Sequence, residues 1–287
     1  MSKLFYKQSK KKKSDEKRRA TIAEDRKHIL TPHSGFYIRE AYKTLRTNVN
    51  FALADAEGCK VILVTSAMQS EGKSLTALNL AISLAQTEAK VLIVDCDLRR
   101  PKLNRLLGAS ANVGLSNLLM DPKKLNGIIL KHEQLGISVI LSGDIPPNPS
   151  ELLASARMQT LITALRSKYD YIIIDTPPVD MVIDSVVLAP LSDGVLFVVK
   201  ADQSERGAVI HAMEQLEYAK AKVLGFVFNG MNSESGSGYG KYRYKKYGRY
   251  GYSRYGYHRY GYGYGYGYGY GYQSKPDSAP PAPSQQP

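Results

Sequence analysis

The sequence predicts an α/β fold in which a mostly parallel sheet lies between two layers of helices. Short runs of β-branched and other apolar residues alternate with longer segments of helical period, as in chains built from strand-helix-strand units. The predicted strands are continuously apolar, which is typical of strands that are covered on both faces. A third observation, the distribution of charge, confines this fold to one stretch of the chain.

The predicted elements follow one another along that stretch. We expect strands at 61–65, 91–94, 137–141, 171–174, 195–199 and 223–228. We expect helices at 36–54, 73–87, 101–107, 150–168, 183–190 and 205–220. Ser150 is the predicted N-cap of the fourth helix, because its hydroxyl can accept a backbone N–H of the first turn.

The net charge divides the chain into three parts. The 287 residues include 39 Lys and Arg against 26 Asp and Glu, a formal charge of +13. Residues 1–30 hold 11 basic and 4 acidic side chains, residues 233–272 hold 7 and 1, and residues 31–232 hold 20 of each sign. We therefore predict a basic N-terminal tail (1–30), one globular domain (31–232) and a C-terminal tail (233–287).

Several classes of protein are excluded by composition. The purely apolar runs are short: 61–64 and 91–94 have four residues and 195–199 has five, whereas a membrane-spanning helix requires roughly 18 to 20. No apolar stretch follows the N-terminal lysines, so a signal peptide is not expected. Two cysteines are too few for a disulfide framework or a metal cage. We therefore expect a cytoplasmic protein.

The C-terminal tail is rich in tyrosine and glycine. Between residues 239 and 272 lie 15 of the 21 tyrosines, and residues 260–272 alternate strictly between Tyr and Gly. A segment without aliphatic core formers cannot offset the entropy that ordering costs, so we predict that it is disordered in isolation.

A phosphate-binding loop is predicted directly after the first strand. The backbone N–H groups of such a loop and of the following helix surround phosphate oxygens, Lys73 would contact the β- and γ-phosphates, and the Ser74 hydroxyl would bind Mg²⁺. Ala67 stands where the usual pattern has its first glycine. The alternative is an ordinary helix start with an exposed lysine. The predicted ATP-binding residues of the loop are Ser66, Ala67, Met68, Gln69, Ser70, Glu71, Gly72, Lys73 and Ser74.

Three aspartates follow strands that should end at the same edge of the sheet. Asp95 and Asp97 come after the second strand, and Asp175 ends the run Tyr171 to Asp175. Open parallel sheets bind ligands at this edge, and paired carboxylates are costly there unless a cation or hydrogen bonds hold them. The pattern favours a role near Mg²⁺. The alternative is an acidic turn with Arg99 and Arg100 as its ion-pair partners.

Asn229 follows the last predicted strand and precedes Gly230. In related folds an Asn at this place contacts the adenine edge. The residue pair is equally typical of a simple turn, so both interpretations stay open.

These motifs together resemble the bacterial tyrosine kinases (BY-kinases), specifically the CpsD-like cytoplasmic subunits of capsular and exopolysaccharide synthesis. The resemblance implies a P-loop NTPase-like three-layer fold. The alternative is a MinD- or ParA-like ATPase, a positioning protein associated with a membrane or nucleic acid, but Met68 occupies the place of that family's signature lysine. The resemblance covers about 36–272 and rests on the loop 66–74, the aspartate motifs 91–101 and 172–178, the segment 146–153 and the tyrosine cluster.

The family resemblance implies ATP and Mg²⁺ as cofactors and tyrosine phosphorylation as the reaction. Lys73, Asp95 and Asp97 would be catalytic; Ser74, Asp97 and Asp175 would organise Mg²⁺; and Asp95 would take or orient the phenolic proton, although the two aspartates of its motif could exchange roles. The chain's own tail supplies the acceptors, which we predict to be Tyr239, Tyr242, Tyr244, Tyr247, Tyr250, Tyr252, Tyr255, Tyr257, Tyr260, Tyr262, Tyr264, Tyr266, Tyr268, Tyr270 and Tyr272.

The family also uses a helical motif to build a ring of subunits. That motif corresponds here to Glu40, Lys43 and Arg46, spaced so that all three side chains share one helix face. Lys43 replaces an arginine of the motif, which keeps the charge but loses the bidentate geometry. The alternative is a solvated charged face.

The predicted partners follow from the resemblance and from the two tails. They are a membrane-bound activator or chain-length adaptor, further copies of the chain in a ring, and a protein-tyrosine phosphatase. The membrane-bound partner would place the protein at the inner face of the membrane, and the run 10–13 of four lysines could also bind anionic lipid. Tyr and Arg in the C-terminal tail could stack on single-stranded nucleic acid, but the nucleotide site argues against such a partner.

Overall fold

The structure, a computed structural model, describes residues 23–110, 113–121 and 127–231. In this part of the chain seven strands form one sheet in the order β3-β4-β2-β5-β1-β6-β7. Neighbouring strands are parallel except for β3, which is antiparallel to β4. The strands are β1 (Lys60–Ser66), β2 (Val91–Asp95), β3 (Ile129–His132), β4 (Ile137–Ile140), β5 (Tyr171–Asp175), β6 (Gly194–Lys200) and β7 (Val223–Asn229).

Two layers of helices cover the two faces of the sheet. Helices α1 to α3 contribute to one core, and α4 to α8 contribute to the other. The helices are α1 (Phe36–Ala52), α2 (Lys73–Ala85), α3 (Leu103–Leu107), α4 (Leu115–Met120), α5 (Pro149–Leu153), α6 (Ala156–Arg166), α7 (Asp184–Leu188) and α8 (Arg206–Tyr218). None of the helices in the described ranges is both long and apolar enough to cross a bilayer.

Strand β1 shows why its residues form a doubly covered strand. Val61 and Leu63 pack into the core beneath α4 to α8, whereas Ile62 and Val64 pack into the core beneath α1 to α3. Successive side chains of a strand point to opposite faces, so a continuously apolar run serves both cores at once. All four side chains are fully buried. The α/β fold class and the mostly parallel sheet are therefore confirmed.

The predicted boundaries fail in three places. Strand β3 and helix α4 were not predicted, and the single helix predicted at 150–168 is two helices. Ser150 is not an N-cap: Asn148 takes that position, with Pro149 as the first helical residue. The first helix, α5, ends at Leu153, and a new helix, α6, begins at Ala156. Ser155 is the N-cap of α6, because its hydroxyl accepts the N–H of Met158.

The carboxyl ends of β1, β5 and β2 lie side by side in the middle of the sheet. Asp95 of β2 stands opposite Asp175 of β5 in the strand register, and Asp175 stands opposite Val64 of β1. The loop after β1 and the two aspartate motifs therefore meet at one edge, as the sequence predicts.

A segment that precedes α1 is bound to the buried helix α2. The Asn79 side chain accepts the N–H of Leu30 at 2.7 Å and donates to the His28 carbonyl at 2.9 Å. Leu30 itself is buried in the core beneath α1 to α3. The domain therefore begins at or before His28 rather than at residue 31.

Asn79→Ala is expected to lower the free energy of unfolding by about 1–3 kcal/mol, because a buried backbone donor and acceptor would both lose their partner. Urea denaturation followed by circular dichroism measures the loss. The matched control is Asn48→Ala on the exposed face of α1, for which a change within about 0.5 kcal/mol is expected. Equal effects of the two substitutions would contradict the structural role of Asn79.

Candidate active site

The loop between β1 and α2 has a backbone that only glycine permits at one position. Gly72 has φ 94°, in the left-handed region, and a Cβ there would lie 1.9 Å from the Asn229 side-chain nitrogen. Ser70, two residues earlier, also has a positive φ of 65°. The turn brings the first N–H groups of α2 to the carboxyl edge of the sheet, as a phosphate-binding loop requires.

A buried glutamate in the loop holds it to the neighbouring part of the sheet. Glu71 is 1% exposed; it accepts the N–H of Met68 at 2.7 Å, and its other oxygen accepts the Ser204 hydroxyl. Two further bonds to loop carbonyls come from Lys200, the last residue of β6, to Ser70 and from Gln203 to Gln69. This support is not predictable from the sequence, since no local pattern connects Glu71 with Ser204, 133 residues away.

Asn229 contacts the same loop from the end of β7. Its side-chain nitrogen donates to the Glu71 carbonyl at 3.0 Å, and its side-chain oxygen accepts the N–H of Gly230 at 2.9 Å. The second bond goes to the next residue, whereas an Asn side chain that forms a turn bonds the backbone two residues on, so the turn alternative stays open. The first adds a role in supporting the loop, and adenine contact by Asn229 stays a prediction.

Lys73, Asp95, Asp97 and Asp175 form one buried cluster of charges. Lys73 Nζ lies 3.5 Å from Asp97 Oδ2, and both side chains are about 6% exposed. Asp95 is fully buried and accepts the N–H groups of Asp97 and Leu103 at 3.2 and 3.3 Å. The structure therefore brings together the residues that the three sequence motifs predicted.

Burial and mutual repulsion govern the charges of the carboxyl groups. Burial raises the pKa of Asp95 well above its ordinary value, and Asp175 and Asp97 raise it further. Burial raises the pKa of Asp175 from 3.8 to about 6, although Lys73 acts in the opposite direction. The cluster therefore favours binding of a cation, which would offset the cost of ionised carboxylates out of water.

The donor set fits Mg²⁺ bound together with phosphate. Ser74 Oγ and both carboxylate oxygens of Asp175 are buried and make no hydrogen bond of ordinary geometry within the described ranges, although Ser74 is close enough to lower the pKa of Asp175. Those ranges contain no group of three or more His, Cys, Asp or Glu side chains that could hold a metal by itself. Mg²⁺ commonly takes one or two carboxylates and completes its octahedron with phosphate oxygens and water.

The two arginines that follow Asp97 point elsewhere. Arg99 forms a bidentate pair with the buried Asp184 at 2.9 and 3.1 Å and also donates to Ser150. The guanidinium of Arg100 donates to the Gln69 side chain at 2.8 Å. Neither side chain pairs with an aspartate of the cluster, so the alternative of an acidic turn neutralised by these arginines is wrong.

The motif on α1 is placed on one side of that helix. Lys43 and Glu40 form an ion pair at 2.7 Å, and Arg46 donates to the Ser83 carbonyl near the end of α2 at 2.5 Å. Arg46 is therefore tied to its own chain, and the interface role of the three residues stays a prediction.

The acceptor tyrosines at 239–272 and the lysine run at 10–13 lie outside the described residues.

Comparisons with known proteins identify close relatives of this chain. The family model of the AAA domain matches residues 44–224. Tyrosine-protein kinase YwqD of Bacillus subtilis is 38% identical, over 72% of this chain and 86% of the relative. Two solved structures are similar. The kinase domain of Escherichia coli tyrosine kinase ETK has 34% identity and TM-score 0.67, covering 70% of this chain and 79% of that one. The chimerical protein CapA2B2 has 35% identity and TM-score 0.66, covering 71% and 89%.

Asp175→Asn is expected to stabilise the protein at pH 7.5 in the absence of nucleotide and Mg²⁺. The folded pKa of about 6 lies above 3.8, so the folded state binds more protons and wild-type stability falls as pH rises through roughly 4 to 6. An amide does not titrate, so the gain should be larger at pH 7.5 than at pH 4.5.

Thermal denaturation in EDTA at the two pH values measures this difference. The exposed Asp55→Asn on the segment after α1 is the control for removing any one carboxylate. An Asp175→Asn protein that melts at or below the wild-type temperature at pH 7.5 would show that burial of this charge is not destabilising.

Proposed function

This chain belongs to the bacterial tyrosine-kinase family and is a protein-tyrosine kinase; from that premise we propose that it transfers the γ-phosphoryl group of Mg-ATP to tyrosines of its own C-terminal cluster, residues 239–272. The observation that carries the proposal is the single buried cluster in which the loop lysine and three strand-end carboxylates meet. Phosphoryl transfer requires mainly positioning and neutralisation of charge, which such a cluster supplies.

In this proposal the loop residues hold the phosphates. The N–H groups around Gly72 surround the β-phosphate, and Lys73 leaves Asp97 to contact the β- and γ-phosphates. Ser74, Asp97 and Asp175 would hold Mg²⁺, which neutralises phosphate charge and orients the γ-phosphoryl group when it is bound. This assignment is supported by the buried oxygens of Ser74 and Asp175, which face each other and make no hydrogen bond of ordinary geometry within the described ranges.

The phenolic proton goes to the Asp95–Asp97 pair in this proposal. A phenol has a pKa near 10, so its transfer at neutral pH requires a positioned acceptor. The backbone N–H of Asp97 donates to the Asp95 carboxylate, and the charge of Asp97 is one of the influences that raise the pKa of Asp95. We therefore assign the proton to the pair as a whole. Which of the two carboxyl groups accepts the proton and which contributes to the Mg²⁺ site stays open.

The reach of the tail supports phosphorylation between subunits. A glycine-rich coil of about 40 residues has a mean end-to-end distance of roughly 35 Å. This is comparable with the size of a domain, so a tail can reach the site of a neighbouring copy.

The biological setting that we propose is capsule or exopolysaccharide synthesis at the inner face of the membrane. A membrane-bound activator would engage the kinase, a protein-tyrosine phosphatase would reset the tail, and the basic residues 1–30 would add attraction to anionic lipid. Each phosphotyrosine adds about −1.5 to −2 charges, so three or four of them would cancel the +6 of residues 233–272.

Autophosphorylation between subunits can be tested by mixing two variants. Lys73→Met supplies an intact tail without catalysis, and a chain with all fifteen cluster tyrosines changed to Phe supplies catalysis without acceptors. We expect phosphotyrosine on the Lys73→Met chain only in the mixture with Mg-ATP, as read by mass spectrometry. Each variant alone is the control. A wild-type chain that hydrolyses ATP without any phosphotyrosine would instead favour the MinD- or ParA-like alternative.

The ring contact can be tested without disturbing the helix. The double substitution Glu40→Lys/Lys43→Glu exchanges the two charges and keeps their ion pair within α1. We expect a smaller assembly in size-exclusion chromatography with light scattering and weaker phosphorylation in the two-variant mixture. Glu214→Lys on the exposed face of α8 is the control. An unchanged assembly would leave these residues as a solvated surface.

A further inference from the structure

Basic side chains are concentrated at the carboxyl edge of the sheet, and four of them have a defined partner. Lys102 is different: its ammonium group makes no hydrogen bond and no ion pair within the described ranges. The partnered side chains are Lys73 with Asp97, Arg99 with Asp184, Arg100 with Gln69, and Lys200 with the Ser70 carbonyl.

The backbone of Lys102 is firmly placed beside the carboxylate cluster. Its carbonyl accepts the N–H groups of Arg105 and Leu106 at 3.0 Å each. The next N–H along the chain, that of Leu103, donates to Asp95. These hydrogen bonds hold the backbone of Lys102 in place beside the site, while its long side chain is free to change conformation.

The ammonium group of Lys102 interacts electrostatically with the charged side chains of the cluster. The side chain is half-buried. Burial is the largest influence that lowers its pKa, the ammonium of Lys73 lowers it further, and Asp175, Asp25 and Asp97 act in the opposite direction. A partly dehydrated ammonium without a direct partner is a ready binding group for an anion that enters the site.

The sheet order indicates which part of a nucleotide would meet this lysine. The phosphate-binding loop follows β1, while Lys102 follows β2, and β5 lies between them. Lys102 lies seven residues after Asp95, and the bond from the Leu103 N–H to Asp95 keeps it near the end of β2. Asp175 lies at the end of β5, between β1 and β2. A triphosphate whose β-phosphate is held by the loop after β1 can therefore extend its terminal phosphate past Asp175 toward Lys102.

We propose that Lys102 binds the γ-phosphoryl group of ATP and stabilises its charge during transfer, and so distinguishes ATP from ADP. The inference rests on the proposed function. In the transfer step the bond from the γ-phosphorus to the oxygen of ADP breaks and a bond to the tyrosine oxygen forms. The phenolic proton passes to the Asp95–Asp97 pair, and Lys102 keeps its own protons throughout.

Nucleotide binding by the full-length chain tests this assignment. We measure dissociation constants for ADP and for a non-hydrolysable ATP analogue, both with Mg²⁺, in the wild type and in Lys102→Gln. A charge-assisted hydrogen bond contributes about 1.5–3 kcal/mol, so the analogue should bind roughly 10- to 100-fold more weakly. ADP affinity should change by less than about twofold, since ADP lacks the group that Lys102 contacts.

Three further chains sharpen the experiment. Lys102→Arg keeps the charge and should retain most of the preference for the triphosphate. Lys102→Met keeps the aliphatic stem and should behave like Lys102→Gln. Agreement between the two variants would show that the loss of affinity comes from the missing charge and not from poor folding of one variant. Lys131→Gln, exposed on β3, is the matched control for removal of a lysine. The kcat of tyrosine phosphorylation should be lower for Lys102→Gln and Lys102→Met than for the wild type.

The outcomes separate this assignment from the proposed function. If the wild type binds both nucleotides and Lys102→Gln matches it, or loses ADP and the analogue equally, the assignment to the γ-phosphoryl group is overturned while the kinase site stands. If the wild type binds neither nucleotide, the proposed function itself fails.

Discussion

Repulsion between buried carboxylates is the constraint on which the rest of the site depends. The parallel register sets Asp95 beside Asp175 on adjacent strands, and Asp97 follows two residues later. Burial is the largest influence that raises the pKa values of Asp95 and Asp175, and the charge of Asp97 raises both further, so ionising all three carboxyl groups together is costly. Lys73 offsets part of that cost. The site is therefore built to gain stability when further cations arrive, which is what a magnesium nucleotide brings.

The phosphate-binding loop is held in place mainly by contacts with residues of β6, of the segment after it and of β7. The Glu71 carboxylate accepts hydrogen bonds from Ser204 and from the loop backbone, and Asn229 bonds the loop from the end of the last strand. A buried negative charge would otherwise repel a nucleotide. With its oxygens engaged by an N–H and a hydroxyl, it serves instead to shape the turn that Gly72 completes.

Local sequence patterns predicted most of the fold and the centre of the site. Continuously apolar runs identified six strands, and aspartates at the ends of two of them identified the carboxylate cluster, because parallel strands end at a common edge. The edge strand β3 escaped prediction since its side chains are only partly buried. The break between α5 and α6, the Glu71–Ser204 contact and the Arg99–Asp184 pair also escaped, because each depends on residues that are brought together only by the folded chain.

The close approach of Asn229 to the loop has a consequence for how such sequences can diverge. The amide occupies the space that a side chain at position 72 would need, and it bonds a carbonyl 158 residues away in the chain. Position 72 must stay glycine whatever residue stands at 229, because its φ of 94° strains any side chain. Divergence is therefore open only at position 229, where a substitution removes the bond to the Glu71 carbonyl and with it one of the contacts that hold the loop.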